Sequence, residues 1–189
     1  KEDVLVVLDR TPFYAESGGQ VADTGVITTD TATLKVLDCR KTGKGFYVHT
    51  CTLENGFVKA GDMAVAAVDE DTRKATMRNH TSAHLLQAAL RMVLGNHVHQ
   101  SGSYVDSERM RFDFTHFNAV TKEELERVEA LVNKAVLDAL CVTVSEMSIE
   151  EAKKICDDKG IDPYQIVKGI QPICFENAAW AYVVGAALA

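Results

Sequence analysis

Apolar positions along the chain change their period near residue 68. Before that point they fall in short runs: Val4 to Leu8, Val26 to Thr29, Thr33 to Leu37, Gly45 to His49 and Met63 to Val68. Glycines and Asp/Asn punctuate the runs at Gly18-Gly19, Gly43, Gly45, Asn55-Gly56 and Gly61-Asp62. Several short strands at close spacing predict a small barrel-like or sandwich-like sheet. From Asp71 to Leu94 there is neither proline nor glycine, and apolar residues recur at helical spacing until Gly95-Asn96 stops them.

Beyond Gly95 the pattern mixes. Val98 to Val105 and Arg109 to Thr115 read as paired strands. In the second, Met110, Phe112 and Phe114 share one face, and Arg109, Arg111 and Asp113 the other. Thr121-Lys122-Glu123-Glu124 is a capping box. It opens a helix with Leu125, Val128, Val132, Ala135, Val136 and Ala139 on one stripe. Val142 to Val144 reads as a strand, and Ser148-x-x-Glu151 opens a short helix. The expected class is α+β: a β-rich, barrel-like lobe over residues 1–68, then an α+β lobe over 69–189. No internal repeat or low-complexity stretch is present.

A length of 189 residues is enough for one ordinary domain or two small ones. The net charge of −7 excludes broad, nonspecific attraction to nucleic acid but leaves room for a local basic patch. Five cysteines (Cys39, Cys51, Cys141, Cys156 and Cys174) are scattered and never form C-x-x-C. That suits a reducing compartment such as the cytoplasm better than a disulfide framework. No cleavable signal is legible. Lys1-Glu2-Asp3 leads straight into an apolar run, as expected for a chain that starts inside a larger protein. The apolar stretch Ala178 to Ala189 is shorter than the ~20 residues a membrane span needs.

Three segments carry candidate chemistry. His80 and His84 are four apart in the predicted helix, so they stack on one face and can both ligate one zinc ion. Two ligands do not make a site, and the pair also reads as ordinary hydrogen-bonded side chains. His97 and His99, two apart on a predicted strand, could supply another ligand or simply face solvent. A zinc protease would carry glutamate directly after the first histidine, where this chain has Thr81. Arg10-Thr11-Pro12-Phe13-Tyr14-Ala15-Glu16-Ser17-Gly18-Gly19-Gln20 is too rich in special residues for a plain turn, yet matches neither a P-loop nor a dinucleotide fingerprint; it also reads as a structured loop with internal hydrogen bonds. The segment from Val98 to Phe114 reads as a hairpin with a polar face; Arg109 and Arg111 could meet phosphate or form cross-strand salt bridges.

In this order and separation, R-T-P-F-Y-A-E-S-G-G-Q, N-H-T-S-A-H-L-L-Q-A-A-L-R, and H-V-H-Q-S-G-S-Y-V with E-R-M-R-F-D-F-T-H closely resemble the editing domain of alanyl-tRNA synthetase and related free-standing editing proteins. The likeness covers roughly residues 1–155. It implies a β-rich lobe joined to an α+β editing lobe, with a zinc ion. It also implies hydrolysis of the ester between a wrong amino acid, mainly serine or glycine, and tRNA(Ala). The activity is then that of an aminoacyl-tRNA deacylase, in the full-length case within an ATP-binding synthetase. The family usually completes its metal site with a later C-x-x-x-H, which this chain lacks: no histidine follows His116, and Cys174 is followed four residues later by Ala178. The site is then incomplete, rebuilt from Cys156 or Cys174, or completed by residues beyond this sequence.

The expected roles follow. Thr11 and Gln20 recognise the aminoacyl group at the catalytic site. His80, His84 and, as a further candidate, Cys174 hold zinc. Arg73, Lys74, Arg78, Arg109 and Arg111 meet the acceptor end of tRNA(Ala), the alternative for the helix residues being a solvated face paired with acids such as Glu70. The competing reading is a noncatalytic tRNA-binding or structural module with a degenerate metal site.

Overall fold

The computed structural model describes residues 2–139, 141–159, 173–176 and 179–185. The chain is α+β and divides into two compact units. The first holds residues 1–81 and 102–112, the second 82–101 and 113–189.

The first unit is built on an antiparallel five-stranded sheet. Its strands are β1 (Glu2–Val7), β2 (Gly25–Thr29), β3 (Ala32–Lys41), β4 (Tyr47–Gly56) and β5 (Ala64–Val68), in the order β1-β4-β3-β2-β5. The sheet is barrel-like in strand content but open, with β1 and β5 as its edges. Two strands outrun their predicted lengths. β3 reaches Lys41 because the register slips between Val36 and Asp38. The extra residue, Leu37, is left facing out, and Cys39 rather than Asp38 turns inward. β4 continues to Gly56, whose φ of 74° suits glycine.

Alternate residues of β3 and β4 point to one core. Ile27, Leu34, Val36, Cys39 and Cys51 are all buried there, joined by Phe13 and Ala15 from the loop between β1 and β2. Burying a phenylalanine stabilises by about 2–3 kcal/mol, so Phe13 fastens that loop to the sheet. Burial pushes the Cys51 thiol up to about 11 and raises that of Cys39, which keeps both as unreactive thiols.

Helix α1 (Glu70–Leu94) starts one residue before the predicted Asp71. The Asp69 carboxylate accepts the Thr72 N–H at 3.0 Å, which holds its pKa below the usual range. Gly95, at φ 112°, ends the helix. The hairpin of β6 (Gln100–Val105) and β7 (Met110–Phe114) follows. Its turn is closed by Asp106, whose carboxylate accepts the Glu108 and Arg109 N–H groups at 2.8 Å each.

In the second unit the predicted capping box is present. The Thr121 hydroxyl accepts the Glu124 N–H, and the Glu124 carboxylate accepts the Thr121 N–H, opening α2 (Lys122–Leu137). Two parts of the α2 expectation need correction. Ala139 lies beyond the helix at φ 47°, and of the stripe only Val128 is fully buried, while Leu125 and Val136 are exposed. Ser148 and Glu151 form the same reciprocal pair ahead of α3 (Ile149–Lys159). A three-stranded sheet has the order β8-β10-β9, from β8 (Cys141–Met147), β9 (Ile173–Glu176) and β10 (Ala179–Gly185). β8 and β10 are parallel, β9 and β10 antiparallel. The apolar stretch near the end of the sequence thus contains a strand. Among the described residues no helix is long and apolar enough to cross a membrane.

Candidate functional site in the loop from Asp9 to Asp23

The loop between β1 and β2 is held at several points. Asp23 lies at its base, 5% exposed, and accepts the Tyr14 N–H at 2.6 Å and the Arg73 Nε–H at 2.7 Å. A second guanidinium nitrogen pairs with the other carboxylate oxygen and reaches the Pro12 carbonyl at 2.9 Å. The Asp23 carboxylate raises the Arg73 pKa further, mainly through that hydrogen bond.

At the tip, Ser17 and Gln20 exchange backbone hydrogen bonds across Gly18 and Gly19, which take φ of 59° and 82°. Gly19 is needed for space as well. A Cβ there would lie 2.3 Å from the Ser103 hydroxyl and 2.7 Å from the Ser103 carbonyl oxygen. That close approach lets the loop join the edge of β6, where the Val105 N–H bonds the Gly19 carbonyl at 2.7 Å and the Val21 N–H bonds the Val105 carbonyl at 3.0 Å.

Two histidines meet this loop. The Gln20 side chain is buried, and its Oε1 lies 2.6 Å from His80 Nδ1. An amide oxygen only accepts, so Nδ1 carries the proton and Nε2 is the lone-pair nitrogen. Burial lowers the His80 pKa and keeps the ring neutral. The second is His49 on β4, fully buried, with its Nε2 2.8 Å from the Thr11 hydroxyl and its Nδ1 3.0 Å from the Val6 carbonyl. Thr11 also accepts the Phe13 N–H at 3.1 Å.

Thr11 lines a cavity of about 770 Å³ with Arg10, Tyr14, Lys41, Tyr47 and Arg73 among the other walls. That size suits a small-molecule or nucleotide ligand. Gln20 turns to His80, so the two residues expected at one catalytic site have separate partners.

The other expected residues are distributed as follows. His84 lies one turn after His80 on α1, with its Nε2 closed off from solvent. His97 and His99 precede β6 instead of lying on a strand. His97 sits in the turn after Gly95, and its Nε2 is 2.8 Å from His116 Nδ1, so its partner is another histidine. The side chains of Cys156 and Cys174 lie outside the described residues. Lys74 pairs with Glu70 at 2.6 Å on the exposed face of α1. Arg78, Arg109 and Arg111 are exposed.

The donor chemistry of His80 and His84 suits zinc. A ligating imidazole usually donates its other N–H to an oxygen, as His80 does to Gln20. Among the described residues no group of three His, Cys, Asp or Glu assembles, so they supply at most two ligands.

Asp23 and His49 were not anticipated. His49 had a legible signal: it is the one polar residue at the inward positions of Tyr47, His49, Cys51 and Leu53. Asp23 had none, because its partner lies 50 residues further on.

Comparison with known proteins places this loop in a family context. Residues 1–72 match the family described as tRNA synthetases class II (A), and residues 122–189 match one described as GGGtGRT protein. The alanine–tRNA ligase of Acetivibrio thermocellus is 53% identical over 154 residues, which is 82% of this chain and 18% of that protein. The chain is related to alanyl-tRNA synthetases. The ligase of Lysinibacillus sphaericus is 47% identical over 152 residues, 80% of this chain and 17% of that protein. That of Carboxydothermus hydrogenoformans is 46% identical over 173 residues, 89% of this chain and 20% of that protein. The chain thus spans about a fifth of the length of these alanyl-tRNA synthetases.

Proposed function

We propose that the chain is a hydrolytic editing module that removes serine or glycine from mischarged tRNA(Ala), as part of a larger synthetase. The kinship with alanine–tRNA ligases supports the substrate class. The observation that carries the reading is a threonine hydroxyl, fixed by His49, in the wall of a cavity large enough for an aminoacyl-adenosine end. The need for such a site is physical. A pocket that accepts alanine cannot exclude glycine by size, and one small group discriminates only ~10–200-fold. A second site can test for what the first tolerates.

The reaction breaks the bond between the acyl carbon and the ribose oxygen. Water gives its hydroxyl to the acyl group and its remaining proton to the ribose oxygen. Thr11 meets the amino acid side chain. Gln20 holds His80 in one tautomer, and burial keeps that ring neutral. His80 and His84 would hold a zinc ion, with Cys174 or a residue beyond this sequence completing the set. Bound zinc supplies Lewis-acid polarisation of a carbonyl or a more acidic water. Arg73, Lys74, Arg78, Arg109 and Arg111 are the cations for tRNA phosphates, with Arg78, Arg109 and Arg111 exposed.

The test joins deacylation of seryl- and glycyl-tRNA(Ala) with elemental analysis of the purified protein. Thr11→Val should weaken seryl-ester hydrolysis more than glycyl-ester hydrolysis, because only serine offers a hydroxyl partner. His80→Ala and His84→Ala should each lower bound zinc. A wild-type protein with neither zinc nor deacylation would favour the noncatalytic tRNA-binding module, the reading suggested by the two-ligand set among the described residues.

A further inference from the structure

We propose that His49 is a positioning residue that takes up the Thr11 hydroxyl proton in a hydrogen bond and so presents the Thr11 oxygen to the cavity as a hydrogen-bond acceptor. The inference rests on the reading of the cavity as an aminoacyl site. It follows from donor and acceptor accounting. The Val6 carbonyl can only accept, so His49 Nδ1, 3.0 Å away, carries the ring proton. In the neutral imidazole Nε2 is then a bare acceptor, and the Thr11 hydroxyl at 2.8 Å must donate to it. The Phe13 N–H at 3.1 Å occupies one Thr11 lone pair. A hydroxyl has one proton and two lone pairs, so one lone pair is left for a ligand.

The imidazole has little freedom to rearrange. It is fully buried on β4, and the Phe13 ring packs edge-on against it with centroids 5.4 Å apart. The consequence is a one-way reader. A ligand hydroxyl has a proton to give the remaining lone pair. A methyl group has none and would cover that lone pair without satisfying it, which is unfavourable. The His49 and Thr11 pair therefore favours a seryl over an alanyl ester, the discrimination an editing site needs to spare correctly charged tRNA.

Two measurements test this. The first is the tautomer of His49 from long-range proton–nitrogen correlation in the labelled protein. The expected result is a protonated Nδ1 and a bare Nε2, with the Nε2 signal moving in Thr11→Val. An Nε2–H tautomer, or a signal unmoved by Thr11→Val, overturns the proposal. This measurement needs no activity, so it decides the His49 and Thr11 arrangement even if no ester is hydrolysed, an outcome that would instead sink the proposed editing function.

The second is the ratio of kcat/KM for seryl- over alanyl-tRNA(Ala). His49→Phe fills the core without the ring nitrogens and should lower that ratio about tenfold or somewhat less, as expected for one neutral hydrogen bond. In a Thr11→Val background the same change should leave the ratio unmoved. His49→Gln offers one donor and one acceptor, and should restore part of the ratio; it also serves if the phenylalanine variant fails to fold. A wild-type ratio in both His49 variants, or equal effects of His49→Phe with and without Thr11, refutes the proposal.

Discussion

Replacing Arg73 with glutamine removes the cation that closes the base of the loop from Asp9 to Asp23. The effect is larger than that of breaking a surface ion pair, because Asp23 is 5% exposed and stays behind. Stranding one member of a buried pair costs about 3–5 kcal/mol. Two features reduce this here. Asp23 keeps the Tyr14 N–H at 2.6 Å, and the Arg73 side chain is 31% exposed, so water can replace part of the guanidinium. We expect about 2–3 kcal/mol, which for a chain of this size lowers Tm by roughly 4–12 °C. The neighbouring Lys74→Gln is the control. It breaks only an exposed pair with Glu70, worth about 0.3–0.5 kcal/mol, or roughly 1–2 °C. Thermal unfolding by circular dichroism compares the two. The double variant Arg73→Gln/Asp23→Asn should be less destabilised than the sum of the singles, since it leaves no stranded charge. Equal Tm shifts for Arg73→Gln and Lys74→Gln would refute the reasoning and return Arg73 to the same class as its neighbour.

Other expectations follow from the same geometry. Gly19→Ala sets a methyl against Ser103 at a positive φ and should destabilise by about 1–3 kcal/mol in urea titration; an unchanged midpoint would mean the loop tip does not need its close approach to β6. His80 contributes a pH dependence to stability. Its folded pKa is lowered by burial, while the unfolded ring titrates near ~6.5, so the unfolded state takes up the proton first. The His80 contribution to stability is therefore fully present above about pH 6.5 and lost as pH falls through the lowered folded pKa. His80→Gln should flatten denaturation midpoints measured between about pH 7 and about pH 5, and identical slopes would remove His80 as the cause. For tRNA binding, Arg109→Gln with Arg111→Gln should weaken affinity and reduce the slope of log K against log salt by about one for each phosphate no longer bound. An unaltered slope moves the tRNA surface elsewhere.

Local order was legible because local order is set by near neighbours along the chain. The strand-to-helix change near residue 68, the α1 span, the paired β6 and β7 and both capping boxes follow from periods of two and 3.6 and from caps three residues apart. The special residues of the loop from Arg10 to Gln20 marked it as more than a plain turn, and Gly18 and Gly19 serve there a turn at positive φ and the close approach to Ser103. Strand lengths were less legible. Leu37 looks like the end of β3, yet a bulge absorbs it and the strand runs on, a choice made by the register against β4. Partnerships were least legible. Arg73 and Lys74 are adjacent basic residues, but one turns to a buried carboxylate 50 positions earlier and the other to an exposed acid one turn away. Thr11 and Gln20 belong to one motif, but His49 holds the first and His80 the second. Backbone geometry acts over a few residues and can be read from spacing, whereas the meeting of distant side chains depends on strand register and core packing, which only the folded chain decides.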